Sequence, residues 1–226
     1  RFGFEGEKHP PYLTMALGAG AVTPMQMAVG YSTFANGGYR VNPWLVSRIS
    51  EQRGKVLIEP KVPTLEDAER TIDARNAFLM SSLLQEVTRS GTAARAQATL
   101  KRHDVYGKTG TTNDSMDAWF AGFHPTLTAV TWIGYDTPRK LGDRETGGGL
   151  SLPVWISFME NALKGVPVSE LSAPEGVVYV GGEWYYDEYV KSSGISAVGL
   201  DDTPEANTIP LPPAEEKKKI LDLFRN

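Results

Sequence analysis

No cysteine occurs among the 226 residues, which excludes a disulfide scaffold, thiolate zinc sites, iron–sulfur clusters and a cysteine nucleophile together. This absence does not fix a compartment, because a domain of this size can be stable in an oxidising space without cystines. A basic excess is missing too: 23 Lys and Arg stand against 27 Asp and Glu, so nucleic acid is not expected as a partner. Arg1 stands where a start Met would be, and Arg1–Gly6 lacks the basic, apolar and small-residue order of a signal peptide. The chain therefore reads as a portion of a longer polypeptide. Charge is also missing between Lys8 and Arg40, a stretch longer than the ~20 residues that span a bilayer. Thr23, Pro24, Gln26, Asn36 and several glycines interrupt it, so a loop and a buried helix are expected there, not a span. His9, His103 and His124 have no second ligand at helical spacing and read as turn or surface residues; no metal and no cofactor is expected.

What is present suffices for a packed core, with 41% hydrophobic and 22% charged residues. Thr23-Pro24 reads as a cap and first position of a helix with Met27, Ala28, Tyr31, Phe34 and Ala35 inward, ended by Asn36-Gly37-Gly38. Leu45–Glu51 and Val56–Glu59 flank a glycine-bearing turn and predict a hairpin. Asp73 caps a second helix with Ala77, Met80, Leu83, Leu84 and Val87 inward, stopping near Gly91. Strands are expected at Asp104–Thr111, Ala118–Phe123 and Thr126–Tyr135, the last two antiparallel across His124-Pro125. Gly147-Gly148-Gly149 precedes a third helix with Trp155, Met159 and Leu163 on one face; Leu150-Ser151 after it excludes a phosphate loop. Val177–Val180 and Glu183–Tyr186 flank Gly181-Gly182, a two-residue hairpin signal. After Asp187 the chain turns polar, through Asp201-Asp202 and the Pro210–Lys219 run, and reads as a tail, partly disordered. Gly194–Gly199 is one residue out of register for a nucleophile elbow. Helices before and after a strand cluster, without βαβ alternation, argue for an α+β fold with an antiparallel sheet.

The segment richest in chemistry is Gly107-Lys108-Thr109-Gly110-Thr111-Thr112-Asn113. In an extended chain Thr109 and Thr111 point to one face, so two hydroxyls can grip one anionic group. Gly110 allows a second backbone to approach, as a peptide adding to a sheet edge requires. Lys108 supplies the positive potential that draws in a carboxylate. Alternation puts Lys108 on the opposite face from Thr109, so a shared role needs strand twist or an edge position.

The surroundings extend the pattern: Arg89-Ser90-Gly91-Thr92-Ala93 upstream, then Asp117-Ala118-Trp119-Phe120-Ala121-Gly122-Phe123, then Trp132-Ile133-Gly134-Tyr135-Asp136. With Thr23–Ala28 and Phe34–Gly38, these motifs closely resemble the transpeptidase domain of class A, bifunctional penicillin-binding proteins, from about Arg1 to about Trp184. The resemblance implies a penicillin-binding-protein/serine β-lactamase-like fold, a five-stranded antiparallel sheet with helices on both sides. It implies acyl transfer, in which a serine attacks the D-Ala–D-Ala bond of a peptidoglycan stem peptide, and acylation by β-lactams. It assigns residues 1–186 to the C-terminal part of that domain and leaves 187–226 unmatched. The family's motifs are Ser-x-x-Lys, Ser-x-Asn and Lys-Thr-Gly. Only the third is found here, at Lys108–Gly110. The nucleophile and base are therefore expected upstream of Arg1, and the fold is expected to be incomplete in this chain.

By the same resemblance Lys108 assists proton transfer, Thr109 and Thr111 bind the substrate carboxylate, and the Thr111 N–H is an oxyanion donor, so Lys108 and Thr111 are the catalytic positions. Gly110 lines the substrate strand and Thr112 is a weaker carboxylate contact. Trp119 and Phe120 pack behind the strand, and Ser90–Ala93 is a helix stop with a secondary role as a site wall. Implied partners are stem peptides, β-lactams and the upstream half of the same domain, held at the periplasmic face of the inner membrane by an anchor outside this chain. A β-lactamase or D,D-carboxypeptidase of the same fold, or a degenerate binding domain, are the alternatives. With half a sheet, apolar faces such as Met27, Tyr31 and Phe34 are expected to stand uncovered.

Overall fold

Thr23 opens the first helix by a reciprocal cap. Its Oγ1 accepts the Gln26 N–H at 3.2 Å while Gln26 Oε1 accepts the Thr23 N–H at 2.9 Å, starting α1 (Pro24–Ala35) with proline in its first turn. The computed structural model describes residues 2–9, 12, 13, 15, 18, 20–61, 64 and 70–191. The chain forms two units, residues 1–188 and 189–226. The elbow-like glycines, the Asp201-Asp202 pair and the proline-lysine run lie outside the described residues.

A short hairpin follows α1, with β1 (Ile49–Ser50) antiparallel to β2 (Val56–Ile58) and a register irregularity between Ile49 and Ser50. It is shorter than expected and exposed on both strands. Asp73 then caps α2 (Ala74–Arg89) through the Arg75 N–H. The buried faces of α1 and α2 differ from those that periodicity predicts. On α2 the buried stripe is Ala77, Ser81, Leu84 and Thr88; Leu83, expected inward, is 61% exposed. The polar Ser81 and Thr88 can be buried because their hydroxyls bond backbone carbonyls, Ala77 O at 2.8 Å and Val105 O at 2.6 Å. On α1 the buried residues are Val29, Gly30, Thr33 and Ala35, whereas Met27, Ala28, Tyr31 and Phe34 are half-buried. The turn after α2 leads into a helix that periodicity did not suggest, α3 (Arg95–Leu100).

The centre is a three-stranded antiparallel sheet in the order β3 (Tyr106–Thr111), β4 (Ala118–His124), β5 (Leu127–Ile133). Its two faces carry separate cores, as strand alternation requires. On one face Tyr106 stacks on Phe123 at 4.8 Å and packs with Ala35 and Leu84, bringing α1 and α2 over the sheet. On the other, Phe120 and Val105 pack with Ala93, Ala96, Leu152, Trp155, Ile156 and Met159. The latter four come from α4 (Leu152–Ala162), entered by a π-helical turn, Gly147–Ser151. Phe120 meets Trp155 edge-to-face at 4.8 Å, a pair worth about 0.5–1.5 kcal/mol beyond its buried area. Ser151 Oγ donates to Ala118 O at 2.6 Å and Trp155 Nε1 to Ala129 O at 3.0 Å, fixing α4 on β4 and β5.

A second hairpin, β6 (Val177–Val180) and β7 (Glu183–Tyr186), turns at Gly181-Gly182, both at positive φ, as a two-residue turn of this hand demands. Helical order continues into the stretch read as tail, in α5 (Asp187–Lys191). Arg75 bonds Glu188 at 3.0 Å there. Phe34, expected bare, packs against Phe2 at 5.6 Å and Tyr31 at 6.1 Å. Open apolar surface lies instead on the outer side of α4, where Val154 and Phe158 are about half exposed beside β5, and around the β1–β2 hairpin, where Leu45, Leu57 and Ile58 are exposed. Among the described residues no helix is long and apolar enough to cross a membrane, and no His/Cys/Asp/Glu cluster could hold a metal ion.

His124 corrects the expectation of a turn or surface residue: it is fully buried at the end of β4. Its Nε2 lies 3.0 Å from Asp104 Oδ2, and Asp104 takes a bidentate pair of 2.7 Å bonds from Arg102. Asp104 also accepts the Ser169 N–H at 2.7 Å, and Arg102 donates to Val166 O and Pro167 O at 3.1 Å. The network thus ties the chain after α4 to the start of β3. Burial alone pushes the Asp104 carboxyl up, but the Arg102 guanidinium and the Ser169 N–H outweigh it and hold the pKa at about 2. Burial pushes the His124 imidazole down, against the attraction of Asp104.

Both shifts make acid destabilising. The unfolded chain takes up a proton on His124 below about 6.5 that the folded protein resists. The Asp104 contribution is present above 3.8 and is lost as pH falls toward about 2. Urea midpoints measured from pH 8 to pH 2 should decline in two stages, the first below about 6.5 and the second below 3.8. Asp104→Asn should cost about 3–5 kcal/mol at pH 7, since it leaves the Arg102 charge unpaired in a nearly buried site.

Candidate active site

Strand β3 is held at its base before it reaches the chemistry. The Thr88 hydroxyl donates to Val105 O, and Gln97 Nε2 donates to Thr88 Oγ1 at 3.0 Å, so α2 and α3 both grip the strand's entry. From Tyr106 to Thr111 it pairs with β4 in unbroken register, Lys108 opposite Ala121 and Thr111 opposite Ala118. Its other side has no strand partner among the described residues, which makes β3 an edge.

The ladder decides what that edge presents. The Thr112 N–H donates to Asp117 O at 3.1 Å, making 112 and 117 a hydrogen-bonded pair. Antiparallel alternation then gives Gly110–Trp119 and Lys108–Ala121 the same status. The N–H and C=O groups of Thr109 and Thr111 must therefore point away from β4, out of the open edge. Lys108 Nζ reaches round to that edge, donating to Thr109 O at 2.9 Å and standing 3.5 Å from Thr109 Oγ1. The edge position removes the alternation problem: the lysine leaves from the opposite face, but its stem is long enough to bring the ammonium beside the hydroxyl.

Thr109 and Thr111 share the face that packs on the π-helical turn. Thr111 Oγ1 accepts the Gly147 N–H at 3.1 Å, which leaves its single O–H free to be donated elsewhere. Thr109 Oγ1 lies 2.8 Å from Thr92 Oγ1. Lys108 and Thr111 are exposed and Thr109 and Gly110 half-buried. Thr112 sits differently: its Oγ1 accepts the Asp117 N–H at 2.8 Å and lies 3.4 Å from Asp117 Oδ2. It closes the tight turn before β4, in which Asp114 and Ser115 hold positive φ. Asp117 also accepts Trp132 Nε1 at 2.8 Å, and Trp132 lies 6.0 Å from Trp119 across the ladder.

Close backbone approach at Gly110 occurs within the protein. A Cβ on Gly147 would stand 2.3 Å from Trp119 O and 2.5 Å from Gly110 O, so only glycine lets the turn sit flat on the ladder. On the far side, the missing Cβ of Gly110 makes room for Trp119, 3.2 Å from where that atom would be. Phe120 is buried behind the strand and Trp119 half-buried. Two participants were not singled out as individual residues: Thr92, 17 residues from Thr109, in a cluster expected only secondarily as a site wall, and Gly147, 36 residues from Thr111. The Ser90–Ala93 cluster and the triple glycine were the traces they left in the sequence.

A family model described as the penicillin binding protein transpeptidase domain matches residues 9–159. Penicillin-binding protein 1A of Neisseria flavescens is 46% identical over 205 residues, 90% of this chain and 25% of its own length. That of Pseudomonas aeruginosa is 39% identical over 224 residues, 79% of this chain and 27% of its own. The chain thus spans about a quarter of the length of the curated relatives it matches. The crystal structure of penicillin-binding protein 1A from Haemophilus influenzae superposes with a TM-score of 0.75 at 30% identity, covering 88% of this chain and 36% of that one. PonA1 from Mycobacterium tuberculosis, solved in complex with penicillin V, gives 0.60 at 26% identity over 78% of this chain and 47% of that one.

The packing of the glycine turn gives a direct test. Gly147→Ala should lower stability by about 1–3 kcal/mol, because the atoms it strikes are ladder backbone. Gly148→Ala, whose added carbon meets Thr92 O at an ordinary 3.4 Å, should stay within about 0.5 kcal/mol. Denaturant midpoints of the two variants measure the difference.

Proposed function

The chain belongs to the penicillin-binding protein transpeptidase family, and on that premise we propose that it supplies the carboxylate-binding and oxyanion half of a peptidoglycan D,D-transpeptidase. The observation that carries this reading is the ammonium of Lys108 bonded to Thr109 O on a strand edge that has no strand partner among the described residues. An extended stem peptide adding to that edge finds an acceptor in Thr109 O and a donor in the Thr111 N–H. Its terminal carboxylate meets the hydroxyls of Thr109 and Thr111, with Lys108 adding charge. Such charge-assisted bonds are worth about 1.5–3 kcal/mol each. A β-lactam carries its carboxylate and reactive carbonyl in a similar relation and is taken by the same groups. Thr112, with its hydroxyl committed to Asp117, contributes through the turn.

In the reaction a serine attacks the penultimate carbonyl, D-Ala leaves, and an amine of a neighbouring stem peptide resolves the acyl-enzyme. Negative charge builds on the carbonyl oxygen at each attack, and the Thr111 N–H stabilises it there. Losing one such donor costs roughly 100- to 1000-fold in rate. Lys108 holds the proton-transfer groups at a favourable potential. The serine and base come from a segment preceding Arg1, since neither Ser-x-x-Lys nor Ser-x-Asn occurs in these 226 residues. The outer edge of β5, flanked by Val154 and Phe158, is where that segment completes the sheet, with residues 1–186 the C-terminal part of the domain and 187–226 a tail. The reaction takes place at the periplasmic face of the inner membrane.

Labelling by a fluorescent penicillin in the polypeptide that includes the preceding segment tests the reading. Lys108→Ala should slow acylation by about 100-fold while leaving the fold intact, as an exposed side chain allows. Labelling at the unaltered rate would remove Lys108 from the site and the reading with it.

A further inference from the structure

The substrate strand does not present its hydroxyls unaided. Thr111 Oγ1 is held by the Gly147 N–H, and Thr109 Oγ1 by a side chain from another part of the chain, the Thr92 hydroxyl at 2.8 Å. Thr92 sits in the turn between α2 and α3, next to Ala93, which is fully buried in the core beneath α4. The turn is pinned by the Ala93 N–H bond to Val87 O at 3.1 Å, so the Thr92 side chain is delivered from a fixed backbone.

The proton count at Thr109 is what gives this contact meaning. A hydroxyl has one proton and two lone pairs. The ammonium of Lys108, 3.5 Å from Thr109 Oγ1, can only donate. Either Thr109 donates its proton to Thr92, and has none for a ligand, or Thr92 donates to Thr109 and frees that proton. A bond from Thr109 to a carboxylate is charge-assisted and roughly twice as strong as a bond between two neutral hydroxyls. Ligand carboxylate therefore selects the second arrangement, in which Thr92 donates.

Resting on the functional reading above, we propose that Thr92 is a positioning residue for carboxylate recognition. Its O–H donates to Thr109 Oγ1, fixes the Thr109 rotamer, and turns the Thr109 proton toward the terminal carboxylate of the stem peptide or β-lactam. Thr92 acts through Thr109 and not on the reacting carbonyl, so its influence falls on carboxylate-dependent binding. A purely structural role in the turn would slow every substrate alike.

The experiment compares acylation by benzylpenicillin and by its methyl ester in the polypeptide carrying the preceding segment. The ratio of the two second-order rate constants measures carboxylate recognition. Thr92→Val, which keeps the shape and removes the hydroxyl, should reduce that ratio about ten-fold, through the benzylpenicillin rate, with the ester rate within about two-fold of the parent. Thr92→Ser should restore the ratio to within about three-fold, because the donor returns. An unchanged ratio in Thr92→Val, or equal losses on both compounds, overturns the proposal. Thr109→Val separates the two levels: if it too leaves the ratio intact, the assignment of the carboxylate to this strand fails. If it collapses the ratio while Thr92→Val does not, only the role of Thr92 fails. A thermal midpoint for each variant confirms that the turn is still folded.

Discussion

The parity of the β3–β4 ladder governs everything that the site can do. Because Thr112 pairs with Asp117, every second residue toward the strand's start spends its backbone groups on β4, and the alternate ones turn theirs outward. Slipping the register by one residue would exchange these sets, burying the polar groups of Thr109 and Thr111 in the ladder and moving their side chains to the wrong face. The tight turn from Thr112 to Asp117, with its left-handed Asp114 and Ser115, is therefore part of the site although its side chains face the turn and β5. The entry end is fixed as firmly, by Thr88 on Val105 O and by the buried Arg102–Asp104–His124 network.

Around this frame the hydroxyls are organised from outside the strand. An edge threonine in water would sample several rotamers and share its proton with solvent. Here one oxygen accepts a backbone N–H from the π-helical turn and the other meets a hydroxyl from the turn after α2. The glycine at 147 is the condition for the first of these, since any side chain there would lift the turn off the ladder. The same turn leads into α4, whose Trp155 and Met159 fill the core under Phe120, so packing energy of the core also maintains the geometry of the edge.

Among the described residues neither outer strand of the sheet has a further strand partner, and the two outer edges differ in character. The β3 edge is lined by the Lys108 ammonium and by the hydroxyls of Thr109 and Thr111. The β5 edge lies beside Val154 and Phe158, suited to more protein. One sheet in this way carries a polar edge and an apolar edge, and the buried network at the base of β3 ties its first strand to the chain that follows α4.

Local features were readable in the sequence wherever the cause was local. The Thr23 cap, the Asp73 cap, the two-glycine hairpin and the alternation of Thr109 and Thr111 all follow from neighbours within a few residues, and the run of motifs around Lys108 carried the family with it. What pairing and packing decide was not readable. Whether Lys108 lay on an edge depended on which strand β3 paired with; whether Leu83 faced inward depended on where α2 met the sheet. His124 gave no sign of burial, because its partners Asp104 and Arg102 are 20 and 22 residues away. The union of Thr92 with Thr109 and of Gly147 with Thr111 likewise joins residues far apart in the chain. A hydroxyl's neighbours in the sequence say which way it can point, but only the folded chain determines what it meets there.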